Sequence, residues 1–234
     1  MKRFYKKAEV TKADDDSGYH IALDGRIVNT PQKNKLLIPT EGLARDICAE
    51  WNAQDENIDP QSMPFSGLMN TCIDHVGQEN FRRQLEEETL RFIESDLICY
   101  YAQEPEGLVA LQKKYWQPLQ QWFEEKYGVT LKTSTGIHFV DQNLEVQKTA
   151  QNILTEMDDG LFTGFQSSVG VFGSFVIALA FVQGHIDYQS AFDSSVVDDL
   201  FQIEQWGRDD EKDKKWQKIC QELRVIESFV SYFR

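Results

Sequence analysis

The sequence predicts an α+β protein, with a small β-rich N-terminal domain followed by a larger, mainly α-helical domain. Two observations carry that reading. Up to residue 39, short apolar stretches are separated by glycine and proline, the pattern of brief strands and turns. From Thr40 onward the apolar residues recur at three- and four-residue spacing, the period of amphipathic helices. The chain has 234 residues, of which 41% are hydrophobic, so it can bury a substantial core. The reading divides it into 1–60, a β-rich domain with one helix, and 61–234, a helical domain.

The expected strands are "RFYKKAEVTK", "GYHIAL", "RIVNT" and "KLLIP". Asp24 and Gly25 supply a two-residue hairpin turn between the second and third. Pro31 and Pro39 close strands rather than interrupt them. "TEGLARDICAEWNAQ" is the first helix, with Thr40 as N-cap and Leu43, Ile47 and Trp51 on one face. "DENIDPQSMPFSG", with Pro60 and Pro64, is read as a connector.

A second helix is expected over 78–101, burying Phe81, Leu85, Phe92, Leu97 and Tyr100, with Glu86, Glu87 and Glu88 turned to solvent. A third spans 108–127, with Leu108, Leu111, Tyr115, Leu119 and Trp122 on one side; Pro118 should kink or divide it and Gly128 should end it. Residues 129–142 fit either two short strands or an extended connection. Further helices are expected at 144–157, 166–183, 190–206 and 211–233. In the last, Trp216, Ile219, Cys220, Leu223, Ile226, Val230 and Phe233 form one stripe.

Charge and composition narrow the function. With 38 acidic and 24 basic residues the net charge is −14, which repels phosphate and argues against nucleic acid or an anionic membrane surface. Cys48, Cys72, Cys99 and Cys220 have no C-x-x-C spacing and sit in apolar stretches, as reduced structural thiols do. "MKRFYKKAEV" has no apolar run or cleavage site after its basic residues, so a bacterial cytoplasm is expected, with a processed mitochondrial matrix protein as the alternative.

"VGVFGSFVIALAFV" (169–182) is continuously apolar but short of the roughly 20 residues that span a bilayer. A buried helix is expected, with Gly170, Gly173, Ala178 and Ala180 admitting close neighbours; a membrane-surface role for this stretch is a third functional reading.

Sites with strong signatures are missing. There is neither a G-x-x-x-x-G-K-[ST] loop nor a G-x-G-x-x-G after a strand, so no nucleotide cofactor is implied. His20, His75, His138 and His185 show no metal-ligand spacing, and no metal is expected. Asp74 and His75 are adjacent, but without a nucleophile elbow they make a poor catalytic pair.

The acidic run Asp209, Asp210, Glu211 and Asp213 lacks the EF-hand register and suits a solvated loop and a first helical turn, where negative charge favours the helix dipole. Glu204 differs. On a wheel for 190–206, Val196, Leu200 and Ile203 face inward and Glu204 projects at the edge of that face. Such a carboxylate is hydrogen-bonded, protonated or waiting for a partner, or it pairs with Arg208 one turn on if the helix continues through Gly207. A hydrolase using Glu204 with Asp199 or Asp209 is the alternative from another class.

Several ordered segments carry a family resemblance: "RFYKKAEV" with "LDGRIVNTP", "LARDICAEWNAQDENIDPQSMP", "ESDLICYYA" with "LVALQKKYWQPLQQWFEEKYG", and "IEQWGRDDE". Through them the chain resembles, over nearly its whole length, the Atp-twelve family, assembly chaperones that attend the α subunit of the F-type ATP synthase head. The resemblance implies a small β domain and a larger helical one, no enzymatic activity, no cofactor, and an unassembled α subunit as partner until the β subunit replaces it. It also implies functional importance for the acidic residue before the W-G pair, here Glu204 ahead of Trp206 and Gly207. The expected partner-binding residues are Glu204, Trp206, Gly207, Asp209 and Asp210. No catalytic residue is assigned.

Overall fold

A computed structural model describes the whole chain except Ile137 and Arg208. The N-terminal part is a three-stranded antiparallel sheet in the order β1 (Ala8–Lys12), β2 (Tyr19–Leu23), β3 (Arg26–Ile27). The β2–β3 turn is the expected one: Asp24 (φ 48°) and Gly25 (φ 83°) both take the left-handed backbone that a tight hairpin requires. The other two expected strands shrink. Residues 3–7 run beside the sheet, and 35–39 makes single bridges through Lys35 and Ile38. Helix α1 (Glu41–Asn52) closes the sheet, its start fixed by Thr40 Oγ1 accepting from the Leu43 N–H.

Most of the expected connector holds, but its end, from Pro64, already belongs to a helix, α2 (Pro64–Thr71), which runs on through a π-type turn at Cys72–Val76. Pro64 sits in its first turn, where a missing N–H costs nothing. Its cap comes from another element: Glu50 on α1 accepts from the Phe65 and Ser66 N–H groups at 2.7 and 2.8 Å.

The expected helix over 78–101 is shorter, α3 (Glu79–Glu94). It is followed by a 3-10 turn at Leu97–Cys99 and by β4 (Tyr100–Tyr101). Its faces also differ from the expectation. Glu86 is buried and Phe81 is half exposed, because Arg82 reaches inward and brings Glu86 with it. The Arg82 guanidinium lies 3.7 Å over the Phe162 ring, bonds Glu86 at 2.6 Å and Asp159 at 3.1 Å, and donates to the carbonyls of Leu154 and Met157. A charge bound on every side can be buried where a lone one cannot.

Helix α4 (Glu106–Tyr127) ends at left-handed Gly128, as expected, but runs undivided through Pro118. β5 (Ser134–Thr135) pairs in parallel with β4, so 129–142 is mostly an extended connection with one short strand. Helix α5 (Leu144–Glu156) follows close to expectation.

The helix expected at 166–183 is two helices. α6 (Asp159–Phe172) ends at left-handed Gly173, and α7 (Phe175–Val182) begins at Ser174, whose hydroxyl accepts from the Ile177 N–H. All eight residues of α7 are buried, which disposes of a membrane-surface role for the folded stretch. Among the described residues no helix is long and apolar enough to cross a membrane.

The close approaches fall on Gly160 and Gly164, where an added Cβ would collide with Phe233 and Val230. Gly170 and Gly173 have open space instead, against expectation. The helix expected at 190–206 likewise breaks at Val196 into α8 (Tyr188–Ser195) and α9 (Val197–Trp206). α10 (Asp210–Ser231) closes the fold with Leu223, Ile226, Phe229 and Val230 inward. The buried apolar side chains, from Ile21 and Ile38 to Val230, form one cluster.

The candidate partner-binding site

The site is the end of α9 and the turn into α10. Three contacts hold α9 and its approach on α4. Trp116 donates its indole N–H to the Ser194 carbonyl at 2.8 Å, Gln112 donates to Asp198 at 2.7 Å, and Gly107 lies close against the Phe201 ring. Lys212 on α10 pairs with Asp199 on α9 at 2.7 Å, a contact that spans the two helices. The turn itself is tight. Gly207 donates to the Ile203 carbonyl and takes φ 90°, ψ 177°, a conformation open essentially only to glycine, so α9 stops at Trp206. Two residues later Asp209 caps α10 by accepting from the Glu211 N–H at 2.9 Å.

Glu204, Trp206, Gly207, Asp209 and Asp210 are therefore brought together on one exposed corner. Trp206 is 80% exposed, a large apolar ring that nothing in the fold covers. Glu204 is exposed rather than wedged at the edge of the apolar face; of that face Val197 is buried, while Val196, Leu200 and Ile203 are half-buried. The helix does not continue through Gly207, and the pairing considered with Arg208 lies outside the described residues. Asp209 to Asp213 make a cap and a first turn, as the sequence suggested.

Next to this corner, Tyr188, Phe192, Leu200, Trp216, Cys220 and Arg224 line a groove of about 450 Å³ between α8, α9 and α10. Leu200 is one turn before Glu204. The sequence reading named Leu200, Trp216 and Cys220 only as core positions and missed Tyr188, Phe192 and Arg224. No signal could have found these three, because the groove exists only after α8 and α9 part at Val196. Arg224 hydrogen-bonds the Tyr188 hydroxyl at 2.6 Å and lies over its ring.

The arrangement gives little to catalysis. Glu204 stands on an exposed helix end and Asp199 is engaged by Lys212, so no enclosed carboxylate pair forms there. Asp74 does not orient His75. It is buried and accepts from the Thr30 hydroxyl at 2.5 Å, the Asn34 amide at 2.8 Å and the Gln32 N–H, stapling the 30–34 loop to the π-type turn. Burial alone would raise its pKa, but these hydrogen bonds together hold it below the usual carboxylate value.

His75 is exposed, edge-on to Phe81. The four cysteines are free, and burial pushes each thiol up, Cys72 to about 11, which leaves them as inert packing groups. Among the described residues no three His, Cys, Asp or Glu side chains converge as a metal site.

Among the described residues the site is an exposed tryptophan beside exposed carboxylates on a mainly helical fold with a small sheet, a surface suited to contact with another protein. Comparison with known proteins agrees. The family model for the ATP12 chaperone protein matches residues 2–124, and the chain belongs to that family. It is 27% identical over 218 residues to the mitochondrial Atp12 protein of Schizosaccharomyces pombe, spanning 88% of this chain and 74% of that one.

The crystal structure of Atp12 from Paracoccus denitrificans superposes with a TM-score of 0.91 at 31% identity, covering 100% of this chain and 98% of the other. The Atu1473 protein of Agrobacterium tumefaciens gives 0.87 at 31% identity, covering 98% and 84%. The candidate corner lies beyond the segment matched by the family model but within the structural superpositions.

Proposed function

We propose that this chain binds the unassembled α subunit of the F-type ATP synthase head, covers one of its assembly faces, and releases it when the β subunit takes its place, without hydrolysing ATP. Membership of the ATP12 chaperone family supports the class of function. The observation that carries the site is the 80% exposure of Trp206 beside exposed Glu204 at the end of a firmly docked helix. A subunit that lacks its neighbours exposes partly apolar surface and aggregates through it. Trp206 packs on such surface while Glu204 accepts a hydrogen bond from, or pairs with, a basic side chain of the client.

Gly207 and the Asp209 cap set the turn that follows the ring, and Asp210 adds to the negative field around it. Aromatic anchors of this kind commonly carry most of an interface's energy, about 2 kcal/mol or more each. A chaperone must still bind more weakly than the final neighbour, so the contact is confined to a corner rather than spread over a wide face. With relatives in both a bacterium and a mitochondrion, the setting is a bacterial cytoplasm or a mitochondrial matrix.

The test is capture of isolated ATP synthase α subunit by the wild-type chain and by Glu204→Ala, with thermal melting confirming that both are folded. Glu204 is exposed, so the substitution should leave the melting temperature unchanged while capture falls about tenfold or more. Equal capture would remove Glu204 from the interface. Failure of the wild-type chain to capture α at all would refute the proposed client.

A further inference from the structure

The groove between α8, α9 and α10 is walled by Tyr188, Leu200, Trp216 and Cys220, each half-buried, so its apolar lining keeps surface open to an occupant. Phe192, itself buried, meets the Trp216 ring edge-on at 5.3 Å.

The acids around this groove fall into two groups. Over 193–213 the chain carries eight acidic and two basic residues. Asp198, Asp199, Asp210, Glu211 and Asp213 lie in the first turns of α9 and α10, where the helix dipole favours negative charge, and Asp209 is the cap of α10. Asp193 and Glu204 lie in the last turns of α8 and α9, where the dipole disfavours it, and neither of those turns holds a basic residue.

Asp193 accepts from the Gln189 amide at 2.8 Å. Neither Asp193 nor Glu204 makes an ion pair among the described residues. Asp193 lines the groove, and Glu204 stands one turn beyond Leu200 on the same side of α9. Arg224, the basic residue of the lining, is engaged by the hydroxyl and ring of Tyr188, and Lys212 by Asp199.

We infer that the groove extends the α9 corner and takes an apolar side chain of the client that is flanked by basic residues, one pairing with Asp193 and one with Glu204. The inference rests on the client binding proposed above and adds the chemistry of the segment that is held. The apolar side chain packs against Leu200 and Trp216. Each basic group brings to a helix C-terminus the positive charge that the fold leaves out there. A second copy of this chain fits less well, because a net charge of −14 opposes self-association.

Benzoylphenylalanine at Gln217, an exposed position on the groove, should form a covalent adduct with isolated ATP synthase α subunit on irradiation. Asp193→Lys should reduce that adduct about five- to tenfold. Glu87→Lys, an equal change of charge at an exposed site on α3, should leave it unchanged. The melting temperature of Asp193→Lys should stay level or rise, because lysine suits the end of α8. Should it fall instead, Asp193→Asn, which keeps an oxygen for Gln189, takes its place and should reduce the adduct about twofold or more.

The inference is overturned if no adduct forms at 217, if the Asp193 and Glu87 variants behave alike, or if the adduct joins two copies of this chain. Capture of α that depends on Glu204 but gives no adduct at 217 would reject the groove and leave the corner standing. If wild type captures no α at all, the probe at 217 is an acetylated, amidated peptide of Leu and Lys at helical spacing, with a Leu and Glu version as control. An adduct from the Lys peptide alone, lost in Asp193→Lys, would support the groove without that client, and any other result would overturn it.

Discussion

Asp96 is fully buried, and its oxygens accept from the Ile98 and Val176 N–H groups, joining the turn after α3 to the start of α7. Burial pushes its carboxyl from 3.8 up to about 6, against the pull of those hydrogen bonds and of the Ser174 hydroxyl. A raised carboxyl holds its proton more tightly in the folded chain than in the unfolded one. The resulting stability is fully present below about pH 4 and is lost as pH rises through 6. At 1.36 kcal/mol per unit, a gap of about two units is worth roughly 3 kcal/mol. Urea unfolding of wild type and Asp96→Asn between pH 7 and pH 4.5 should show wild type gaining on the variant as pH falls. A constant difference would mean that Asp96 titrates as it does in the unfolded chain. Trp206 stands at the other extreme of burial, 80% exposed.

Helix faces were legible wherever the signal was local. Thr40, Gly128 and the α10 stripe each act within a turn or two of their own position, and the structure keeps all three. What the sequence did not disclose depends on distant partners. α2 is capped by Glu50, fifteen residues before Phe65, and Glu86 is buried because Arg82 meets groups of α5 and α6 far along the chain. The split at Gly173 and Ser174 was hidden because apolar residues continue on both sides of it, so no change of period marks the break.

At the site, sequence spacing selected Glu204 but placed it at the edge of an apolar face. Gly207 ends the helix and leaves it exposed. The contact of α6 with α10 gives a prediction at this scale: Gly164→Ala drives a methyl into Val230 and should cost about 1–3 kcal/mol by thermal or chemical unfolding. Gly170→Ala meets open space and should be neutral or slightly stabilising, since alanine is the better helix former. Equal effects at the two positions would show that α10 does not pack as described.

Over the whole molecule, one core ties the N-terminal sheet to the helices and leaves apolar side chains exposed at particular places. The α9 corner joins an aromatic ring to acidic groups. The negative remainder of the surface repels polyanions and limits unspecific association.

The central claim is that the α9 corner touches the client. Its most direct test is a photo-crosslinking benzoylphenylalanine placed at Trp206 and, as control, at Phe139, which is also largely exposed. With isolated ATP synthase α subunit, position 206 should give a covalent adduct that fails to form when β subunit is added before irradiation, and position 139 should give little. An adduct from neither position, or equally from both, would contradict the account.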